Sequence, residues 1–526
     1  LPGGGGEEHR VAAHADDMLF LLEQPRISLP NLLEAFRLYG VVSNLKLNLA
    51  KSELMPLTRD PALHRHIQAH FPFRICLTKL RYQGIWLPCD LAQAYSMNYV
   101  PLLTALQQDM KRWAPQYISW FGRINAIKMN VMPRILYLFQ TIPVIVPRNF
   151  FQTLSSAFKQ FVWNQRPARI RQSILERPRS EGGMGLPSVL TYYRATHLSR
   201  LVDWHAAPSG KRWVDMEKEQ ELRTGNPLVD ATLKVWCGIR YSQQLTSSPN
   251  PLMPVTHNPR LAGGLSPGDL RNFGATDWTY LHQWCNGPSL KSLAALLQDR
   301  GPSVLDNFRY YQLTTYVTSL AGKAHLHRPL SHFEQLCVAR QHLIHGISQL
   351  YSMLQSGGDQ SPLGFTIRWE MEAGVELSTS DWQKIFQLTH RGTICSKFQE
   401  CNYKILSSWY RTPDILRHVH ESISGECWRC GNADGTGIHI WWSCPRIEPF
   451  WRTIHKGIKD VTGTDIPFQP LPMLLNHTSM PITAYKRGLM IHLLTAAKSL
   501  IPMLWRSQVA PSLRQWIDRE WFHALV

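Results

Sequence analysis

No uninterrupted apolar stretch in this 526-residue chain reaches the roughly 18 residues that crossing a bilayer requires. The nearest, GLMIHLLTAAKSLIPMLW at 488–505, is broken by His492, Lys498 and Pro502, so no membrane partner is expected. The opening LPGGGGEEHR lacks the charged-then-apolar pattern of a secretory signal. It also lacks an initiating Met, so the chain is expected to be a piece of something longer. Acidic residues are scarce: 38 Asp plus Glu face 56 Lys plus Arg, a net charge of +18 and a sequence pI near 9.5. That imbalance favours a polyanionic partner, nucleic acid above all. The ten Cys are scattered except for one cluster at 427–444, which excludes a disulfide framework and fits a reducing, cytoplasmic and nuclear setting. The glycine-rich EGGMG at 181–185 lacks the Lys-Ser/Thr ending of a phosphate-gripping loop. The histidines of HLHRPLSH at 325–332 have no thiol or carboxylate neighbours in the run, and they read as surface or packing residues. No fixed-period repeat is present.

Apolar residues at 44% and charged residues at 18% describe a globular chain, long enough for roughly three domains. The pattern predicts a mainly α protein with a small α+β portion at the N-terminus. HRVAAHA and MLFLLE are short apolar runs flanking Asp16 and Asp17, which predicts a hairpin with the acids at its tip. Ser28 is placed to cap a helix carrying Leu29, Leu32, Leu33, Phe36 and Tyr39. LKLNL alternates Leu45, Leu47 and Leu49 against Lys46 and Asn48, the mark of a half-buried strand, and LRYQGIWL at 80–87 predicts another. From 98 to 206 the period turns helical, with Ile124, Ile127, Val131, Ile135 and Leu138 in one stripe. Pro133 should kink or split that helix. Residues 207–405 read as a helical connector, whose Pro/Gly-rich stretch 247–269 is the strongest linker signal in the chain. A Cys/His module at 406–470 and a helical tail at 471–526 complete the expected order.

Three features carry chemistry. Adjacent carboxylates at a hairpin tip repel unless a cation sits beside them, and Mg²⁺ takes carboxylate oxygens together with substrate phosphates. An Asp pair by itself is more often a solvated turn; its context decides. Cys427-x2-Cys430-x8-His439-x4-Cys444 supplies three thiolates and an imidazole, the ligand set of a closed, structural zinc site. The Trp residues around it, Trp428, Trp441 and Trp442, suit either base stacking or the miniature core of a small metal module. Arg123, Lys128 and Arg134 edge the apolar stripe, and Arg166, Arg169 and Arg171 crowd the loop after it. Both groups are positioned to reach nucleic-acid phosphates, although an ordinary solvated basic face accounts for any one of them equally well.

HRVAAHADDMLFLL, a helix, SNLKLNLAKSELMPL and LRYQGI, in that order, resemble the palm of reverse transcriptases from LINE-type non-LTR retrotransposons. WFGRINAIKMNVMPRILYLFQTIP at 120–143 resembles the thumb helices of that family, and GGMGLPSVLTYYRATHLSRLVDW at 182–204 the segment after them. NYKILSSWYRTPDIL and the CWRCG…GIHIWWSCPRIEPFW stretch resemble its C-terminal region. The resemblance implies an incomplete palm over 1–97, a helical thumb over 98–206, the connector and the zinc module. It implies an RNA template and an RNA/DNA or DNA primer duplex as partners, and two-metal nucleotidyl transfer with Mg²⁺ in the intact enzyme. Asp16 matches the metal-ligating Asp of the hairpin motif, Asp17 its neighbour, Lys51 the basic residue beside the departing pyrophosphate, and Tyr82 and Gly84 the primer-grip strand. His14, Asn44 and Gln83 depart from the family's aromatic residue, Gly and Leu at those positions. The family's first catalytic Asp and its endonuclease domain lie upstream of the hairpin, so this chain alone is expected to be inactive. The alternative is a non-catalytic, zinc-containing RNA- or DNA-binding protein derived from such a polymerase.

Overall fold

The computed structural model describes the chain except at 1–9, 59, 206–210, 219–224, 259, 262–264, 275–277, 299–300, 323–324, 327, 340–344, 357–360, 421, 432–433 and 525–526. Most of the opening LPGGGGEEHR and one histidine of the 325–332 run therefore lie outside the described residues. The protein is mainly helical, with four small two-stranded sheets among the described residues. Its contacts divide it into two compact units, neither contiguous in sequence: 1–102, 136–147 and 190–357 form one, and 103–135, 148–189 and 358–526 the other. These units cut across the segment boundaries that composition and motifs suggest.

In the first unit, β1 (Val11–His14) and β2 (Asp17–Phe20) pair antiparallel, with His14 opposite Asp17, so Ala15 and Asp16 make the turn. Helix α1 (Pro25–Ser43) follows, and Phe36 meets Phe20 edge-on at 5.5 Å between ring centres. Ser28 does not cap it. The helix starts a turn earlier because Pro25 supplies the preset φ of a first helical residue, and the Ser28 hydroxyl instead bonds back to the Glu23 and Gln24 carbonyls. The strand expected at Leu45–Leu49 is not formed: those residues are irregular, and Leu45 and Leu49 are exposed. Alternation supplies two faces but no partner, and a strand needs a neighbour to take its backbone bonds. The run at 80–87 is not one strand but a hairpin, Lys79–Tyr82 against Ile85–Pro88. Gln83 and Gly84 turn it, both at positive φ, as a tight two-residue hairpin turn requires.

The stretch 247–269 is irregular, yet it is not a free linker. Val255, Leu261 and Leu265 are buried in a core completed by Trp284, Leu296 and Leu313. Its many prolines prevent helix and sheet without preventing burial. A second core of the same unit joins Leu198 and Val202 to Leu245, Phe333, Leu350 and Leu354.

In the second unit, the helix Arg148–Val162 buries Phe150, Phe151, Leu154, Phe158, Phe161 and Val162, a spacing of three and four that aims one face inward. The helix beginning at Trp120, whose residues from 136 on are counted with the first unit, neither ends nor splits at Pro133. It passes through a wide π turn at Ile127–Val131 and runs on from Met132 to Thr141. Proline removes one donor and crowds the carbonyl four residues back, here Met129, and a π turn is a usual way for a helix to absorb such a defect. The apolar stretch near 488–505 is a core helix, Ala484–Leu500, buried nearly all round by the helices Ser396–Leu406, Glu448–Thr462 and Leu513–Ala524. Among the described residues no helix is long and apolar enough to cross a membrane.

Candidate metal centre and nucleic-acid surfaces

Local backbone features bring the four cluster residues together. Cys427 follows a one-residue bridge between Glu426 and Asp434. The chain then turns so that Gly431 N–H donates to Cys427 O at 2.8 Å, with Gly431 at a φ of 71°, a conformation that favours glycine. This turn aims Cys427 and Cys430 at one point. His439 opens a π turn, His439–Ser443, closed by Cys444 N–H donating to His439 O at 3.0 Å. Glu372 anchors the approach to it, accepting from Ile438 N–H at 2.7 Å.

One ligand atom from each of Cys427, Cys430, His439 and Cys444 lies within 4.8 Å of all the others. A tetrahedral ion bonded at about 2.3 Å to sulfur sets two sulfurs about 3.8 Å apart. Cys427 Sγ and Cys444 Sγ are 3.8 Å apart, and Cys430 Sγ is 3.3 Å from His439 Nε2. The group can therefore hold a metal ion. Burial pushes the Cys444 thiol up to about 11, with Cys427 and Cys430 adding to the shift. Burial, with the charge of Arg429, holds His439 below its usual value. A neutral imidazole is what a metal needs, whereas the thiols need a cation to ionise. The surroundings decide the role of the tryptophans. Trp441 is buried, Trp451 is wholly buried and donates its indole N–H to Trp441 O at 2.7 Å, and Trp442 packs on Phe468. Trp428 is half-buried against Trp505. They build the module's core.

Sequence reasoning missed Arg429, between the two cysteines of the first pair. Arg429 is 2% exposed, donates from Nη1 to Ile440 O at 2.7 Å, and has no partner for Nε and Nη2 among the described residues.

Asp16 and Asp17 stand at the tip of the β1–β2 hairpin, both exposed. Ala15 takes a φ of 52°, a conformation that costs a non-glycine residue about 1 kcal/mol and recurs where a turn must present a side chain. Among the described residues no third His, Cys, Asp or Glu joins the pair in a metal-holding group. Lys51 is exposed in a turn, and its backbone N–H bonds to Asn48. Tyr82 is half-buried, Gly84 is exposed at the hairpin turn, and Tyr137 donates to Gln83 O at 2.5 Å.

The basic residues divide sharply. Arg123 is not on a surface: it is buried and donates to four backbone carbonyls, those of Ala114, Gln116, Ile118 and Phe161. It ties loop ends together and cannot reach a phosphate. Arg134 is half-exposed but paired with Asp109 at 2.7 Å. Arg169 is exposed, lies 4.0 Å over the Trp409 ring and donates to the Trp409 carbonyl. Arg166 and Arg171 are exposed with no side-chain partner among the described residues. Lys128 is exposed by area, yet neighbouring protein desolvates its ammonium and, with the charge of Arg179, pushes it down to about 8. No protein-family profile matches the sequence.

Proposed function

We propose that this chain is the C-terminal part of an RNA-directed DNA polymerase resembling those of LINE-type retrotransposons, and that alone it binds template–primer without extending it. The observation that carries the reading is the exposed Asp16–Asp17 pair at the turn of a tight hairpin, followed by a helix. There a strand pair can deliver carboxylates to Mg²⁺ without burying their charge. Asp16 is the metal ligand and Asp17 its neighbour, with Lys51, Tyr82 and Gly84 serving the pyrophosphate and primer end. Two-metal transfer stabilises both the attacking and the leaving oxygen, and two divalent ions require carboxylates from more than one side. The hairpin supplies one side.

Within this proposal the Cys427, Cys430, His439 and Cys444 group holds Zn²⁺. Four protein ligands leave no open position, so the ion is structural and orders the tryptophan-rich module. A second reading, a non-catalytic nucleic-acid-binding protein of the same descent, is favoured by the lack of a third carboxylate beside the hairpin among the described residues.

Primer extension with Mg²⁺ on an RNA template, together with binding of the same template–primer, tests both. Binding without extension is expected. Extension abolished by Asp16→Ala would restore the complete enzyme, and extension that survives Asp16→Ala would remove the hairpin from the chemistry. Failure to bind any template–primer would sink both readings.

A further inference from the structure

A buried guanidinium without a carboxylate is an expensive arrangement, since an uncompensated charge in a protein interior is strongly destabilising. Arg429 is 2% exposed, no ion pair reaches it among the described residues, and only Nη1 has a hydrogen-bond partner. Its burial rules out a role in touching nucleic acid. It sits between two of the four cluster residues, Cys427 and Cys430, and its own backbone N–H donates to Cys427 Sγ at 3.4 Å.

Charge counting gives the reason. A divalent cation with three thiolates and one neutral imidazole carries a net charge of −1, which is itself costly to bury. A single guanidinium beside it brings the cluster to zero. We infer that Arg429 is the built-in counter-charge of the metal centre, a positioning residue that allows a three-thiolate site to form inside the protein. The inference rests on the proposal that the site holds a divalent cation. It goes further by assigning the site's charge state and a residue that is not a ligand.

The experiment uses the full chain, with Zn²⁺ as the probe and a chromophoric chelator as competitor. Wild type should retain one equivalent at the cluster; a chain that retains none overturns the metal reading itself, separately from Arg429. Arg429→Met, close in volume but uncharged, should lose about 10- to 100-fold in zinc affinity, the usual effect of removing an outer partner, while Arg429→Lys should recover most of it. Cys430→His removes one negative charge from the ligand set. In that background Arg429→Met should cost less than threefold. If Met and Lys weaken zinc equally, or if the loss is the same with and without Cys430→His, Arg429 is only packing and the inference falls.

Discussion

At the scale of single residues, the C-terminal core holds a lysine where none is expected. Lys498 is fully buried within the helix Ala484–Leu500, and its ammonium donates to Leu474 O and Asn476 Oδ1, both at 3.1 Å. Two neutral acceptors replace the water it loses only in part, so burial pushes it from its ordinary value down to about 7, with nearby Cys401 opposing the shift. The unfolded chain keeps that proton up to about pH 10.5, whereas the folded chain releases it near 7. Between those values unfolding takes up a proton, so this group makes stability rise with pH, and below about 7 its contribution is flat. Comparing wild type with Lys498→Met isolates it from the other titrating groups. Between pH 7 and 9 the unfolding free energy of wild type should gain about 2 kcal/mol relative to the variant, read from urea titrations at each pH. A constant difference would mean that the folded protein keeps the amine protonated across that whole range.

Among elements, the glycine-rich loop at 181–185 and the hairpin turn at Gln83–Gly84 show how one residue type serves two purposes. A Cβ on Gly183 would meet Arg177 O at 2.0 Å, a backbone atom that cannot swing aside, whereas a Cβ on Gly84 would meet nothing within 4 Å. Gly84 is needed only for its φ of 82°. Gly84→Ala should therefore cost about 1 kcal/mol through backbone strain. Gly183→Ala must displace the chain and should cost several times more, on the scale of overpacked cores, with both values read from chemical denaturation midpoints. The same contrast explains what the sequence made legible. Hairpin β1–β2, the helical stripe through Ile124 and Leu138, and the cluster of Cys427, Cys430, His439 and Cys444 were readable because each depends on residues near one another in the chain. Leu45–Leu49 alternates as a strand does, but pairing depends on a distant neighbour that alternation does not encode. The segment 247–269 has linker composition and core burial, because composition reports what cannot be helical, not what is exposed. Arg123 sits at the edge of its stripe on a helical projection, yet the carbonyls that claim it lie in the turn at 114–118 and at the end of the helix Arg148–Val162.

For the whole molecule, the question is which of the positive charges act on a partner. A net charge of +18 draws any polyanion toward the protein, but only cations that displace counterions from phosphates shape the salt dependence of binding. Arg123 is spent on four carbonyls, Arg134 on Asp109, and Arg429 is buried with a bond to the Ile440 carbonyl. Arg166 and Arg171 are exposed and unpaired among the described residues, so they can meet phosphates without breaking anything first. Template–primer affinity should therefore fall linearly with salt on a log–log plot. Arg166→Ala and Arg171→Ala should each make the slope shallower by about 0.9 while leaving the denaturation midpoint unchanged. Arg123→Met should do the reverse, lowering stability by leaving buried carbonyls unpaired while the folded fraction keeps the wild-type slope. If Arg166 and Arg171 leave the slope untouched, the nucleic acid lies on some other basic face. A shallow slope in the wild type itself would mean that the charge excess does not drive binding at all.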